Sequence, residues 1–262
     1  MTIAYEAHGD GPAVLLVHEG VADRRMWRGQ VPVLARDHRV VAVDLRGFGE
    51  TPHASGPFSH VDDLREGLDE TGIDRATVVG GSLGAKVALE LALTHPERVE
   101  GLVLCPPVLP GWEWSERVRR GWQEGQEAFE AGDLDRATEV DVQLWVVGPR
   151  RDPDAVDAEL RDLVRTMQRH ALELPEPDPP PEPEPDPTVR LADVGVPTLV
   201  VVGDEDVEDF LAMAAAVAAG IPGARKVVIE GAAHVVALEK PQEFNGALLA
   251  FLADPAAYTS TE

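Results

Sequence analysis

The chain has 262 residues and a single cysteine, Cys105. An internal disulfide is therefore impossible, and the count suits a reducing compartment. Cations are also scarce: 23 Lys and Arg against 47 Asp and Glu give a formal net charge of −24. That balance argues against partners such as nucleic acid or an anionic membrane surface. No apolar run is long enough to span a bilayer. The first residues, Met1 to Glu6, carry neither a basic leader nor a signal-type apolar core, so a cytoplasmic protein is expected. No His, Cys and carboxylate cluster has metal-site spacing, and no Gly-x-Gly-x-x-Gly or phosphate-loop pattern occurs. No metal and no cofactor are expected. What is present is an ordinary apolar share, 44%, and enough length for one α/β domain with an insertion.

One stretch organises the rest. Thr77-Val78-Val79 is a β-branched run that suits a buried strand, and from Leu83 the apolar residues recur with helical spacing. Between them lies Gly80-Gly81-Ser82-Leu83-Gly84. A Gly-x-Ser-x-Gly turn between strand and helix presents the serine Oγ above a sheet, and its flanking glycines relieve a strained backbone. The N–H groups of the helix start then point toward any oxyanion formed there. A glycine-rich turn can also exist without chemistry, so the remaining chain has to decide.

Continuous apolar runs at 13–17, 40–43, 101–105, 198–202 and 226–229 read as strands buried on both faces. Helical patterns separate them, including one from Trp27 to about Arg36, one over 60–71 and one over 241–252. The alternation predicts a mostly parallel sheet covered on both sides. It breaks after Pro106-Pro107, where 108–174 reads as helices over 115–131, 134–146 and 155–172. An acidic proline run, 175–187, follows and predicts an extended linker. The expected organisation is a core of 1–107 and 188–262, a helical cap of 108–174, and the linker.

Three complementary groups fall at strand ends: Ser82, then Asp204 or Asp206, then His234. A neutral serine needs an imidazole to take its proton, and the imidazole needs a carboxylate to hold its tautomer. The order Ser, Asp, His suits a serine hydrolase on such a sheet.

On these features, with Leu-Leu-Val-His-Glu-Gly (15–20), Asp-Leu-Arg-Gly-Phe-Gly-Glu-Thr (44–51), Val-Gly-Asp-Glu-Asp (202–206) and Gly-Ala-Ala-His (231–234), the chain resembles the α/β-hydrolase fold family over nearly its whole length. The resemblance implies Ser82 as nucleophile, His234 as base and Asp206 as acid, with Asp204 the alternative. It also implies an oxyanion hole from the N–H groups of Gly20 and Leu83, with His18 structural. The expected activity is hydrolysis of an ester, lactone or related carbonyl compound, with a small apolar molecule as substrate. Carbon–carbon bond hydrolysis or perhydrolysis on the same triad, and a non-catalytic binding protein, are the rivals. Haloalkane dehalogenation is not expected, because its nucleophile is an aspartate and Ser82 occupies that place.

Some residues depart from the pattern or are undecided. Glu19 stands where relatives usually carry glycine, and three placements are open. It can be solvated or paired with Arg24 or Arg25, face the site as an anion, or be buried with a raised pKa. Lys86, one turn into the helix, has either a covering role or a local acidic partner. Cys105, at a strand end, is either a pocket-lining thiol or, as expected, an inert buried one. Trp112, Trp114, Trp122 and Trp145, with Phe129, form either a pocket wall or the cap's own core.

Overall fold

The computed structural model describes residues 3–175 and 190–258. Seven strands form one sheet in the order β1-β3-β2-β4-β5-β6-β7. Strand β1 (Tyr5–His8) lies antiparallel on the edge against β3 (Arg39–Val43). The others, β2 (Ala13–Val17), β4 (Ala76–Gly80), β5 (Val99–Leu104), β6 (Thr198–Gly203) and β7 (Arg225–Ile229), extend it in parallel. Every residue of β4 and of β6 is buried. Strands covered on both faces have no polar side to alternate with, which is why they read as unbroken Val and Leu runs. The expected mostly parallel sheet is the one observed.

The covering helices are α1 (Val31–Leu34), α2 (His60–Glu70), α3 (Leu83–Thr94), α4 (Glu116–Glu130), α5 (Leu134–Asp141), α6 (Ala158–Glu173), α7 (Glu208–Gly220), α8 (Val236–Glu239) and α9 (Pro241–Ala253). Four of their starts are chemically marked: Ser59, Ser115, Asp133 and Asp157 each accept a backbone N–H of the first turn. Helices α4 to α6 are inserted between β5 and β6. All of the acidic proline run except Pro175 lies outside the described residues. Among the described residues, no helix is long and apolar enough to cross a membrane.

Two helices differ from the sequence pattern. The segment around Trp27 is a 3₁₀ helix, Arg24–Gly29, followed by the separate short α1. Pro32 lacks an N–H and is tolerated only in a first turn, so it begins a new helix and cannot continue an old one. Helix α5 stops at Asp141, and Val142–Val147 winds as a wider π-helix. That widening sits beside His234, whose N–H donates to Trp145 O at 3.2 Å.

Candidate active site

Strand β4 ends at Gly80 and α3 begins at Leu83, so Gly81 and Ser82 must reverse the chain between them. Ser82 does this at φ 47° and ψ −108°, the one non-glycine residue with positive φ among the described residues. Such a conformation costs about 1–3 kcal/mol and persists only where the surroundings enforce it. They do. A Cβ at Gly80 would lie 2.3 Å from Gly84 O, and one at Gly84 would lie 2.3 Å from Val17 O. Ser82 N–H donates to Pro106 O at 3.0 Å, and Ser82 O accepts from Lys86 N–H at 3.0 Å. Ser82 holds the N-cap position of α3, yet its hydroxyl makes no capping bond. The hydroxyl is left for another partner.

Asp206 follows β6, and His234 follows β7. His234 Nδ1 lies 3.0 Å from Asp206 Oδ2, while Asp206 Oδ1 accepts Val207 N–H at 2.7 Å. Both side chains are buried, and the imidazole packs against Phe210 and Trp145 at centroid distances of 4.2 and 4.9 Å. Burial alone would lower the His234 pKa, but the charge and hydrogen bond of Asp206 outweigh it and raise the value. Asp204 is engaged elsewhere: its Oδ1 accepts Gly231 N–H at 2.6 Å, tying the loop after β6 to the turn after β7. Of the two candidate acids, Asp206 is the one beside the histidine.

A cavity of about 280 Å³ opens above these residues, lined by Ser82, His234, Gly20, Leu83 and Lys86, with Trp114, Trp122, Trp145 and Phe210 on its walls. The N–H groups of Gly81, Ser82 and Gly84 donate to Val17 O, Pro106 O and His18 O. Those of Gly20 and Leu83 donate to no protein acceptor among the described residues. His18 is held as a neutral strut. Its Nε2 accepts Leu45 N–H at 2.9 Å, so Nδ1–H donates to Glu19 O at 2.7 Å. Trp112 does not line the cavity; its indole N–H reaches Asp209 Oδ1 at 3.2 Å, and Ser115 N–H reaches the same oxygen at 2.8 Å. Phe129 lines an adjoining space. Cys105 is buried, and burial pushes its thiol pKa well up. Lys86 lies 3.8 Å from Glu90 in the next turn. Among the described residues, no three His, Cys, Asp or Glu side chains could hold a metal ion.

Residues 8–247 match the model of the Alpha/beta hydrolase family. The chain belongs to that family. A pimeloyl-acyl-carrier-protein methyl ester esterase from Aeromonas hydrophila is 29% identical over 250 residues, covering 93% of this chain and 96% of that protein. A thermophilic esterase from Thermogutta terrifontis superposes with a TM-score of 0.78 at 27% identity, over 97% of this chain and 93% of that one. Est816, described as an N-acyl homoserine lactone degrading enzyme, gives a TM-score of 0.73 at 26% identity, over 95% and 96% of the two chains. The protein is an α/β-hydrolase, an enzyme of the hydrolase type.

Glu19, left open by the sequence, has a definite place in this α/β-hydrolase. It is neither solvated nor paired with the neighbouring arginines. Arg24 pairs with Asp44 and Glu50, and Arg25 pairs with Asp23. Glu19 is fully buried, neither carboxyl oxygen has a partner, and its Cγ would lie 2.5 Å from a Cβ at Gly81. Burial pushes its pKa up to about 8, with His234 opposing and Asp206 adding to the shift. At neutral pH it is an uncharged acid under the Ser82 turn. Unfolded, the group titrates near 4.5. Between the two values the folded state keeps a proton that the unfolded chain has lost, so stability falls as pH rises from about 5 to about 8. Glu19→Gln has nothing to titrate. Its stability relative to wild type should therefore rise by about 1.4 kcal/mol per pH unit through that window. Melting temperatures across the window check this, and a constant difference between the two proteins would contradict it.

Several residues around the site carry weak sequence signals. Arg150 donates to the backbone carbonyls of Asp204 and Asp206, and Arg151 donates to Gly231 O at 3.0 Å while pairing with Glu239. The segment leaving the π-helix thus grips both the loop of the acid and the loop of the base. Two adjacent arginines in a charged stretch do not disclose this. Asp141 is different, because it stands four residues from both Ala137 and Trp145 on the buried stripe of α5. An acid inside such a stripe is a readable anomaly.

Proposed function

We propose that this α/β-hydrolase cleaves a carboxylic ester or lactone through an acyl-enzyme at Ser82. The reading rests on one observation: Ser82 and His234 line a single cavity, and buried Asp206 holds the other imidazole nitrogen. In this mechanism His234 Nε2 takes the Ser82 proton as Oγ attacks the carbonyl. Asp206 keeps Nδ1 protonated and stabilises the imidazolium without taking its proton. The oxyanion is received by the N–H groups of Gly20 and Leu83, and each such donor is worth roughly 10²–10³ in rate. The imidazolium then protonates the leaving alcohol. Water, deprotonated by the same imidazole, releases the acid and restores the serine hydroxyl.

The chemistry is complete with these residues and calls for no cofactor. Glu19 does not spoil the oxyanion site at neutral pH, since burial keeps it protonated there. The aromatic walls favour a small, largely apolar carbonyl substrate. The two relatives named for their substrates act on a methyl ester and on a lactone, and both compounds present an acyl carbonyl. The test is turnover of a panel of phenyl, methyl and lactone substrates by wild type and Ser82→Ala. Saturable wild-type turnover that vanishes in the variant is expected. A wild-type protein inert toward the whole panel would overturn the reading.

A further inference from the structure

The cavity above Ser82 does not end there. A second space of about 430 Å³ adjoins it under the cap, walled by Phe48, Phe129, Leu172 and Leu174. The two chambers share Gly20, Trp122, Asp141 and Gln168. Gly20 belongs to the floor, while Asp141 on α5 and Gln168 on α6 belong to the roof. The polar pair therefore stands at the junction, across from the N–H proposed to receive the oxyanion.

The chemistry of that pair is lopsided. Gln168 Nε2 donates to Asp141 Oδ2 at 2.6 Å, and the Trp145 side chain also favours the ionised carboxylate. Both are neutral donors, and no cation pairs with Asp141 among the described residues. A carboxylate has about four acceptor sites, so two remain. Gln168 Oε1, another acceptor, is buried without a partner. The junction thus has acceptors in excess and lacks a donor. The other charged or titratable groups lining the chambers are Lys86 and His234 in the inner one and His53 in the outer. Lys86 is turned to Glu90 and His234 to Asp206. Burial raises the Asp141 pKa to about 6, which measures how poorly the protein alone solvates its charge.

Building on the hydrolase reading, we propose that Asp141, with Gln168, is a specificity site for an N–H or O–H donor carried a few atoms from the scissile carbonyl. The substrate class is then hydroxy-, acylamino- or amino-substituted acyl esters or lactones, with the apolar remainder in the second chamber. A donor there fills the acceptor sites that Gln168 and Trp145 leave open on the carboxylate, whereas an unsubstituted chain leaves them empty.

The test uses phenyl esters of one straight-chain acid and its β-hydroxy, β-acetamido and β-amino analogues. Wild type should favour the donor-bearing esters in kcat/KM by roughly tenfold or more, mainly through KM. In Asp141→Leu the ratio should fall to about one. Asp141→Asn keeps an acceptor in the same shape, so it should retain part of the preference for hydroxyl and acetamido but lose it for ammonium. These arms separate a neutral donor from a cation, and Asp141→Asn serves if Asp141→Leu does not fold. Equal ratios in wild type and either variant would mean that the pair is only a strut between α5 and α6, and would overturn the proposal. Loss of the hydrolase reading looks different: wild type would then turn over none of the four esters, and both proposals would fall together.

Discussion

Ser82→Ala should lower kcat on a simple ester by about 10⁶-fold, leaving a residue of roughly 10³-fold over water from binding and the oxyanion site. No other hydroxyl occupies the turn, and the neighbouring backbone N–H groups of Gly81 and Gly84 already have acceptors. His234→Ala should cost about as much, because the serine and its base act as one unit. The double variant should then be little worse than either single one. Additive losses would mean that the two residues act in separate steps. The fold should survive, since the Ser82 side chain makes no capping bond and removing Oγ leaves the strained backbone in place. Unchanged melting temperature beside lost turnover is the expected signature.

Asp206→Asn should reduce kcat by about 10⁴-fold with only a small change in stability. The amide can still occupy the space 3.0 Å from His234 Nδ1, but it can donate there and so favour the wrong imidazole tautomer. Removing the charge also removes what raises the His234 pKa against burial. The acidic limb of the kcat/KM profile should therefore move to lower pH in the variant. Asp204→Asn should behave otherwise. Its carboxylate bonds Gly231 N–H at 2.6 Å, and an amide oxygen can accept that bond, so activity should stay within about an order of magnitude of wild type. The reverse ranking in steady-state kinetics would move the role of the acid to Asp204.

The strands and the Ser82 turn are readable in the residues because their causes are local. A parallel strand needs an apolar run, and the turn needs glycines at 80 and 84 where side chains would strike backbone oxygens. The choice between Asp204 and Asp206 is not local. It depends on how the loop after β6 lies against the loop after β7, and those loops are 27 residues apart in the Asp204–Gly231 bond alone. Glu19 illustrates the same limit from another side. Nothing in His18-Glu19-Gly20 reveals that Gly81, far along the chain, leaves room for a buried carboxyl. The π-helix after Asp141 is equally hidden, because a helical apolar period reads the same in either winding until His234 takes Trp145 O. Asp141 itself was legible in principle, as a charge on an apolar stripe whose purpose only the two chambers suggest.

Covalent trapping reveals whether Ser82 is the nucleophile. The wild-type protein is treated with a phosphonylating ester, digested, and mapped by peptide mass spectrometry, beside Ser82→Ala and Asp206→Asn. One adduct per chain is expected on the peptide bearing Ser82, with slower labelling in Asp206→Asn, none in Ser82→Ala, and loss of esterase activity in step with labelling. Full inactivation with the adduct on another residue, or full esterase activity in a quantitatively labelled protein, would contradict it.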